Sequence, residues 1–575
     1  MLADPTYSGA GGEKPSRSKT AEKQQGCCEQ VLRRYDQLKS SRGNWDALWQ
    51  DIGDLVMPRK ANIRNTISVP NNDREKLLFD STATRANVIL ANGQLSWMTP
   101  HESPWFAFEP ARPLLNSEPV KKWLHICTEE LRLKLASSNF YTEIHELYLD
   151  RGAFGTAALY VEGDGLGNLH FSNPDIGSFV VAEDDRGHVD TVFCEKEFTI
   201  RQLIAKFGQE NLSEQIAEKL RGDSEGRCMD EKVTVIHCIM PRADADRLPG
   251  KIGPENMPVA SLYIEQKSKH LLRVGGYEEM PTMVTRFLKW GSEPYGWSPS
   301  WVALPDAKQL NFIQKMMDVL AEVAAFPRML VPSTLESEID TRAHGVTYFD
   351  EHNPQARPAE WLTQGRYDIG KDRVLEKQRA IEQAFHVDLF RMFAQLDKQM
   401  TAREVAERSA EKLTQFSPTF SRMVTELFNP LLTRCFAVLM REGFLPPPPR
   451  EAVQVSPFGE AFVAPPQVVY SSRIALAIRS LHNVGWQHTM EAALPLANIR
   501  PDVLDLWDFE TAYRDMARNH GMPPEWIFDE KQVAAIRDAR AKAAQKAQQM
   551  EMLERGAKAA GAVGVDLSKP PQRAA

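Results

Sequence analysis

The segment from Pro294 to Ala325 constrains the fold more than any other. A turn, Pro294-Tyr295-Gly296-Trp297-Ser298-Pro299, opens onto Leu304–Ala325, which has no glycine; its only proline, Pro305, sits where a first helical turn tolerates it. Leu310, Ile313, Met317 and Leu320 mark one face of the predicted helix, and Phe312, Met316, Val319 and Val323 broaden it. At about 1.5 Å per residue this helix is roughly 30 Å long, and it stops at Phe326-Pro327. The next stretch, Met329–Gly370, is dense in Pro, Gly and polar residues and loses the helical period. Helical pattern then resumes over Asp372–Leu396. A small α/β or β excursion is therefore inserted between two long helices.

The rest of the chain reads as α+β, mainly helical. Val31, Leu32, Tyr35, Leu38, Trp45, Leu48, Trp49, Ile52 and Leu55 suit one or two amphipathic helices closed by Pro58. Thr84–Trp97, Pro119–Ala136 and Phe140–Arg151 carry helical faces. Between Gly152 and Tyr277 the texture turns to strands: Ala157–Glu162, Leu169–Phe171, Ser178–Ala182, Thr191–Phe198, Val233–Ile239, Ser261–Glu265 and Leu271–Val274, with helix at Ile200–Phe207 and Ser213–Leu220. Thr401–Arg441 is a long helix with an expected bend at Ser417-Pro418, and Pro446–Pro449 is a stiff connector. Ser471–Asn519 and Asp529–Arg555 are helical by pattern; residues 1–25 and the tail from Gly556 read as disordered. The length of 575 residues suggests roughly four domains. No solenoid period is present.

Composition excludes several functions. Hydrophobic content of 42% and charged content of 25% are those of a globular protein, and no run reaches the ~18 consecutive apolar residues of a membrane span. A formal charge of −8 argues against a broad nucleic-acid grip, which needs clustered Lys and Arg. The seven cysteines, Cys27, Cys28, Cys127, Cys194, Cys228, Cys238 and Cys435, form no CxxC pair; they indicate neither a zinc site nor a disulfide framework and read as reduced thiols of a cytoplasmic protein. The 13 histidines contain no HExxH. No metal or other cofactor is expected.

Two glycine motifs resemble nucleotide sites and fail as such. Gly365–Lys371 fits G-x-x-x-x-G-K, but Asp372 stands where a Ser or Thr must ligate magnesium, and no apolar strand precedes it. It is expected to be a loop capping the following helix. Gly152-Ala153-Phe154-Gly155-Thr156 is expected to end a helix and turn into the strand at Ala157. No catalytic constellation emerges, so an enzyme is not expected. Arg391, Lys398 and Arg403 flank a break near Leu396–Met400 and could touch a phosphate backbone; pairing with Asp397 and Glu404 is the equally simple alternative.

Four ordered motifs carry a family resemblance. They are Phe79-Asp80-Ser81-Thr82-Ala83 with Ala86-Asn87, Leu90–Gly93, Trp97–Pro100 and Trp105-Phe106; Asp150–Leu159; Pro294–Pro299 with Leu310-Asn311; and Met400–Val405 before a long helix. Their order over Val31–Pro447 resembles the head-to-tail connector (portal) family of short-tailed bacteriophages. That resemblance implies a dodecameric ring with wing, stem, clip and crown regions, which conducts double-stranded DNA through one capsid vertex. It implies a leader at 1–25, a wing at 26–303 (β-rich at about 152–290), stem helices at 304–325 and 372–390, and a clip at 326–371 between them. The tunnel loop is then 391–403, followed by a long wing helix and Pro connector at 404–449, a helical crown at 450–555 and a tail at 556–575.

The resemblance also implies partners: the terminase large subunit and then tail adaptor proteins at the clip, with major capsid and scaffolding proteins around the ring, and no membrane. Glu336, Glu338, Asp340, Arg342 and Tyr348 are the expected clip docking surface, and Arg391, Lys398 and Arg403 the expected thin basic ring in the channel. Twelve copies would carry on the order of −100 formal charges, which lets a polyanion slide. The expected location is the virion's portal vertex, reached from the host cytoplasm during assembly. A minor capsid or tail-tube component without a DNA channel is the alternative, and an enzyme such as a nuclease or ATPase is a third class.

Overall fold

The computed structural model describes residues 17–60, 63, 77–111, 114, 117–222, 227–243, 247, 253–325, 329–331, 359–360, 367–394, 416–455, 461–463, 465–471, 489–490, 493, 495, 508–519, 528 and 530–562. Helices and sheets are mixed, and the chain divides into two compact units, Met1–Ala475 and Leu476–Ala575, rather than four.

In the first unit, α1 (Arg17–Ser41) and α2 (Gly43–Val56) fulfil the first amphipathic pattern. Helix α1 starts at Arg17, inside the stretch expected to be disordered. Lys, Glu, Gln and Ala dominate its end, Lys19–Gln25; they are good helix formers, and propagation is cheap once a helix is anchored downstream. The anchor is apolar. Cys28, Val31, Leu32 and Tyr35 pack on Val180, Phe193, Ile236, Cys238, Leu262 and Ile264 of a five-stranded sheet.

That sheet is an antiparallel meander, β4 (Phe179–Glu183), β5 (Val189–Thr199), β6 (Lys232–Pro241), β7 (Val259–Glu265) and β8 (Leu271–Tyr277), in that order. Its other face is covered by α6 (Ile200–Phe207) and α7 (Glu214–Gly222) through Ile200, Leu203, Phe207 and Ile216 against Val235, Tyr263 and Leu272. A capping box starts α6: Thr199 Oγ1 accepts from Gln202 N at 3.3 Å, and Thr199 N donates to Gln202 Oε1 at 2.9 Å. Covering both faces explains why the strands read as apolar runs instead of clean alternation.

A second layer holds α3 (Thr82–Met98), α4 (Glu118–Ser137) and α5 (Phe140–Phe154). The three-stranded sheet β3-β2-β9 (Leu169–Ser172, Thr156–Gly163, Thr282–Arg286) belongs to this layer. As expected from its glycines, α5 ends on Gly155 in the left-handed region (φ 79°) and passes directly into β2.

Helix α8 (Pro299–Ala325) begins five residues before the predicted Leu304 and includes Pro305 in its interior. Pro305 lies on the exposed side, where solvent can satisfy the carbonyl its missing N–H leaves open. The short antiparallel pair β10 (Met329–Leu330) and β11 (Ala359–Glu360) closes the base of the excursion. Helix α9 (Tyr367–Ala384) starts upstream of the predicted Asp372, so Gly370-Lys371 is helical rather than a capping loop. It breaks at Phe385-His386, where His386 takes φ 54°, before α10 (Val387–Ala394).

Residues 416–441 form α11, whose irregularity is a π turn at Val424–Phe428 immediately before Pro430, not a bend at Ser417-Pro418. Pro430 has no N–H to donate, so the ladder must be re-registered there. By length and composition α11 is apolar enough to cross a membrane. It is instead a core helix, with Leu427, Phe428, Leu431, Leu432, Cys435 and Leu439 fully buried.

After the Pro connector the chain forms β12 (Val453–Val455), β13 (Ala461–Val463) and β14 (Gln467–Tyr470), and β14 pairs with β1 (Phe106–Glu109). Residues 450–470 thus belong to the first unit, not to a helical crown beginning at 450. In the second unit, α12 (Phe509–Asn519) and α13 (Glu530–Ala562) are tied by Glu510, which accepts from Arg514 at 3.1 Å and Arg537 at 3.0 Å. Helix α13 continues past Gly556, against the expected disordered tail, because the Ala- and Lys-rich composition there still favours helix.

Candidate functional site

The long helical pair is where the sequence motifs meet. At the start of α8, Gly296 N donates to Thr156 Oγ1 at 2.7 Å, Ser300 Oγ donates to Gly152 O at 3.0 Å, and Leu288 and Trp297 exchange backbone bonds at 3.1 and 2.7 Å. Tyr295 is buried, with its ring 5.1 Å from Trp49, and Trp49 Nε1 donates to Phe154 O at 3.0 Å. One turn of chemistry-free glycines and aromatics therefore fixes the base of α8.

Further along, Asn311 clamps the first motif: its Oδ1 accepts from Phe79 N at 2.7 Å and its Nδ2 donates to Leu77 O at 3.1 Å. Asp80 accepts from Thr82 N at 2.7 Å and from Gln378 Nε2 of α9 at 3.2 Å. Helices α8 and α9 run antiparallel, since Met317 lies against Gly370 while Asp306 accepts from Lys377 Nζ at 2.7 Å. A Cβ at Gly370 would collide with the Met317 sulfur. The second glycine of the failed phosphate motif is thus a close helix–helix contact.

Burial on α8 divides its predicted faces. Leu310 and Met317 are buried, and Ile313 and Leu320 half-buried, whereas Phe312, Met316 and Val319 are 62%, 39% and 46% exposed. Three of the four residues expected to broaden the buried face thus form a second, uncovered one, while Val323 is half-buried.

Arg391 lies in α10, so residues 391–394 of the expected tunnel loop are helical. Its guanidinium makes a fork to Glu382, Nη1 to Oε2 at 3.0 Å and Nη2 to Oε1 at 2.8 Å. The helix is seated by Phe390, whose ring fills the space a Cβ on Gly93 would take. A cleft of about 420 Å³ opens between α3, α9 and α10, and Arg85, Arg379 and Arg391 line it together with Thr82, Gln378 and Glu382. Arg85 and Arg379 were invisible to motif reading, because about 300 residues separate them and only the tertiary fold brings them together. Lys398 and Arg403, and the clip set Glu336, Glu338, Asp340, Arg342 and Tyr348, lie outside the described residues.

The buried ionisable groups serve structure. His237 donates to or accepts from Ser261 Oγ at 2.9 Å and stacks on Tyr263 at 4.0 Å; burial, then Lys196 and Lys206, hold its pKa well below the ordinary value. Both residues are buried, and among the described residues no carboxylate completes a triad with them. Asp150 is pushed up to about 6 by burial, against the opposing pull of Lys60 at 3.1 Å. Six cysteines are buried free thiols, and no cluster of metal-ligating side chains occurs among the described residues.

The family described as "Bacteriophage head to tail connecting protein" matches residues 28–527. The chain belongs to that family and is a structural component of a phage particle, placed where head meets tail. It is 33% identical over 551 residues to the "Probable portal protein" of Bordetella phage BPP-1, covering 94% of this chain and 96% of that protein. It is 30% identical over 551 residues to the "Portal protein" of Salmonella phage epsilon15, with the same coverage of 94% and 96%.

Proposed function

We propose that this chain is a portal: twelve copies form a ring at one capsid vertex, and double-stranded DNA passes through its hole during packaging and ejection. The observation that carries the reading is the match to portal proteins over nearly the whole chain. The antiparallel pair α8 and α9, closed at the far end by β10 and β11, supports it, since this is the pattern assigned to stem and clip. In this reading the stem is Pro299–Ala325 with Tyr367–Ala384, the clip 326–366, and the tunnel loop lies beyond Ala394. The wing comprises the rest of the first unit, and the crown begins at Leu476.

The clip, with Glu336, Glu338, Asp340, Arg342 and Tyr348, docks the terminase large subunit and later tail adaptor proteins. Capsid and scaffolding proteins surround the wing, and the ring assembles in the host cytoplasm before entering the virion. ATP hydrolysis belongs to the terminase; in this chain Gly370, the second glycine of the phosphate-loop-like motif, packs against Met317 of α8. Averaged negative-stain images of the purified chain test the reading: a twelve-fold ring with a central hole is expected, and a solid or open-ended particle overturns it. Deleting Ser333–Gln355 should spare the ring and abolish terminase docking. Neutralising Arg391, Lys398 and Arg403 together should impair packaging or DNA retention, and unchanged behaviour removes the basic ring.

A further inference from the structure

The hairpin of α8 and α9 has two uncovered flanks that complement each other. At about 100° per residue, Phe312, Met316 and Val319 cluster within about 60° on α8, opposite the buried Ala303, Ala307, Leu310 and Met317. An apolar stripe on each side of one helix requires two partners; the subunit supplies one. On α9, Leu375 is 44% exposed on the side away from Gly370 and Lys377, which face α8. An open groove of about 530 Å³ runs along that flank, lined by Asp372, Leu375, Glu376 and Arg379. Asp372 and Glu376 have no ion-pair partner among the described residues; Lys315, beside Phe312 on α8, has none either and only overlies the Phe79 ring at 5.6 Å.

We infer that the Phe312–Met316–Val319 stripe of one copy docks into the Leu375 groove of the next copy, with Lys315 facing Asp372. The occupant is a second copy because both halves of the contact lie on this chain at one level. The two contacts that join the helices, Met317 with Gly370 and Asp306 with Lys377, bracket Phe312 and Lys315 on α8 and Asp372 and Leu375 on α9. Rotation about an axis along the hairpin moves one flank onto the other without a shift in height. Such a contact uses different surfaces on the two copies, so repetition closes a ring rather than stopping at a dimer. Charge agrees: a cation beside the apolar stripe meets carboxylates beside the apolar groove. This inference rests on the ring reading above and adds the surfaces that make it.

Cross-linking of the full-length double variant Phe312→Cys with Leu375→Cys, using a short bismaleimide, tests the contact. A ladder of covalent multimers extending beyond dimer is expected, while each single variant and the parent chain give none. Dimers from either single variant mean like meets like and overturn the inference. Rings seen by microscopy with no ladder overturn it too, leaving the ring reading intact; a parent chain that forms no ring removes that reading itself. Charge exchange gives a second readout that survives a folding defect in the cysteine variants. Lys315→Asp or Asp372→Lys alone should lower ring yield, and the pair should restore it; failure of the pair to restore counts against the contact.

Discussion

Gly155 and Gly296 meet backbone to backbone: a Cβ on either would strike the main chain of the other's turn, at Gly296 O and at Gly155 O respectively. Gly155 also holds φ 79°, and its carbonyl accepts from Phe287 N at 2.8 Å. Two motifs that lie about 140 residues apart are thus one structural element, which sets the angle at which α8 leaves the body.

Gly155→Ala should therefore destabilise the fold by about 2–4 kcal/mol, about 1–2 from the left-handed backbone and the remainder from overpacking. Gly165 provides the control: its φ is 75° but a Cβ there meets nothing within 4 Å, so Gly165→Ala should cost only about 1 kcal/mol. Thermal unfolding of the two variants beside the parent chain measures the difference, and equal losses would contradict the close approach.

The periodic elements were legible in the sequence, while their company was not. Helix α5, strand β2 and the turn between them follow from Gly155 and local pattern alone. Apolar period found α8, yet could not say that Phe312 and Met316 face outward, because period marks an apolar face and not its neighbour. Strand β14 was missed because it exists only by pairing with β1, more than 350 residues earlier. Likewise Arg391 was noticed beside Lys398 and Arg403, whereas its partner Glu382 and its neighbours Arg85 and Arg379 come from other elements.

Asn311 ties α8 to the segment before α3 by two hydrogen bonds at an exposed site. Asn311→Leu should cost about 1 kcal/mol, as net hydrogen bonds in solvent-accessible places do, but its local effect should be larger. Limited proteolysis is expected to cut near Leu77–Ser81 faster in the variant, with the rest of the first unit unchanged. An unaltered cleavage pattern would deny the clamp.

His237 makes stability depend on acid. Its folded pKa is depressed, by burial first and then by Lys196 and Lys206, while the unfolded chain titrates near the ordinary ~6.5. Unfolded protein therefore binds the proton first, so this contribution to stability is present above ~6.5 and is lost as pH falls below it. The slope reaches at most about 1.4 kcal/mol per pH unit. His237→Phe should lower stability at pH 7, by leaving Ser261 unpaired, and flatten the decline between pH 7 and 5; denaturant titrations at both pH values give the comparison.

Arg286 is the charge that most depends on its surroundings. It is 2% exposed and donates to Glu426 from its backbone N at 2.7 Å, Nε at 3.1 Å and Nη2 at 2.7 Å, and also to Glu183. Lys289 reaches Glu183 at 2.6 Å and Arg422 reaches Glu426 at 2.9 Å, so two carboxylates hold three cations across β4, β9 and α11. Buried Arg151 adds a fourth close by; burial lowers its pKa to about 10. Removing one carboxylate leaves Arg286 charged at a position nearly closed to water. Glu426→Gln keeps the volume and one acceptor oxygen, yet should cost about 3–5 kcal/mol, the range for breaking a buried ion pair from one side. Arg286→Met with Glu426→Gln should recover part of that loss, because a buried cation goes with its anion. A double-mutant cycle by urea unfolding reads the coupling, and additive losses would show that the two side chains act independently.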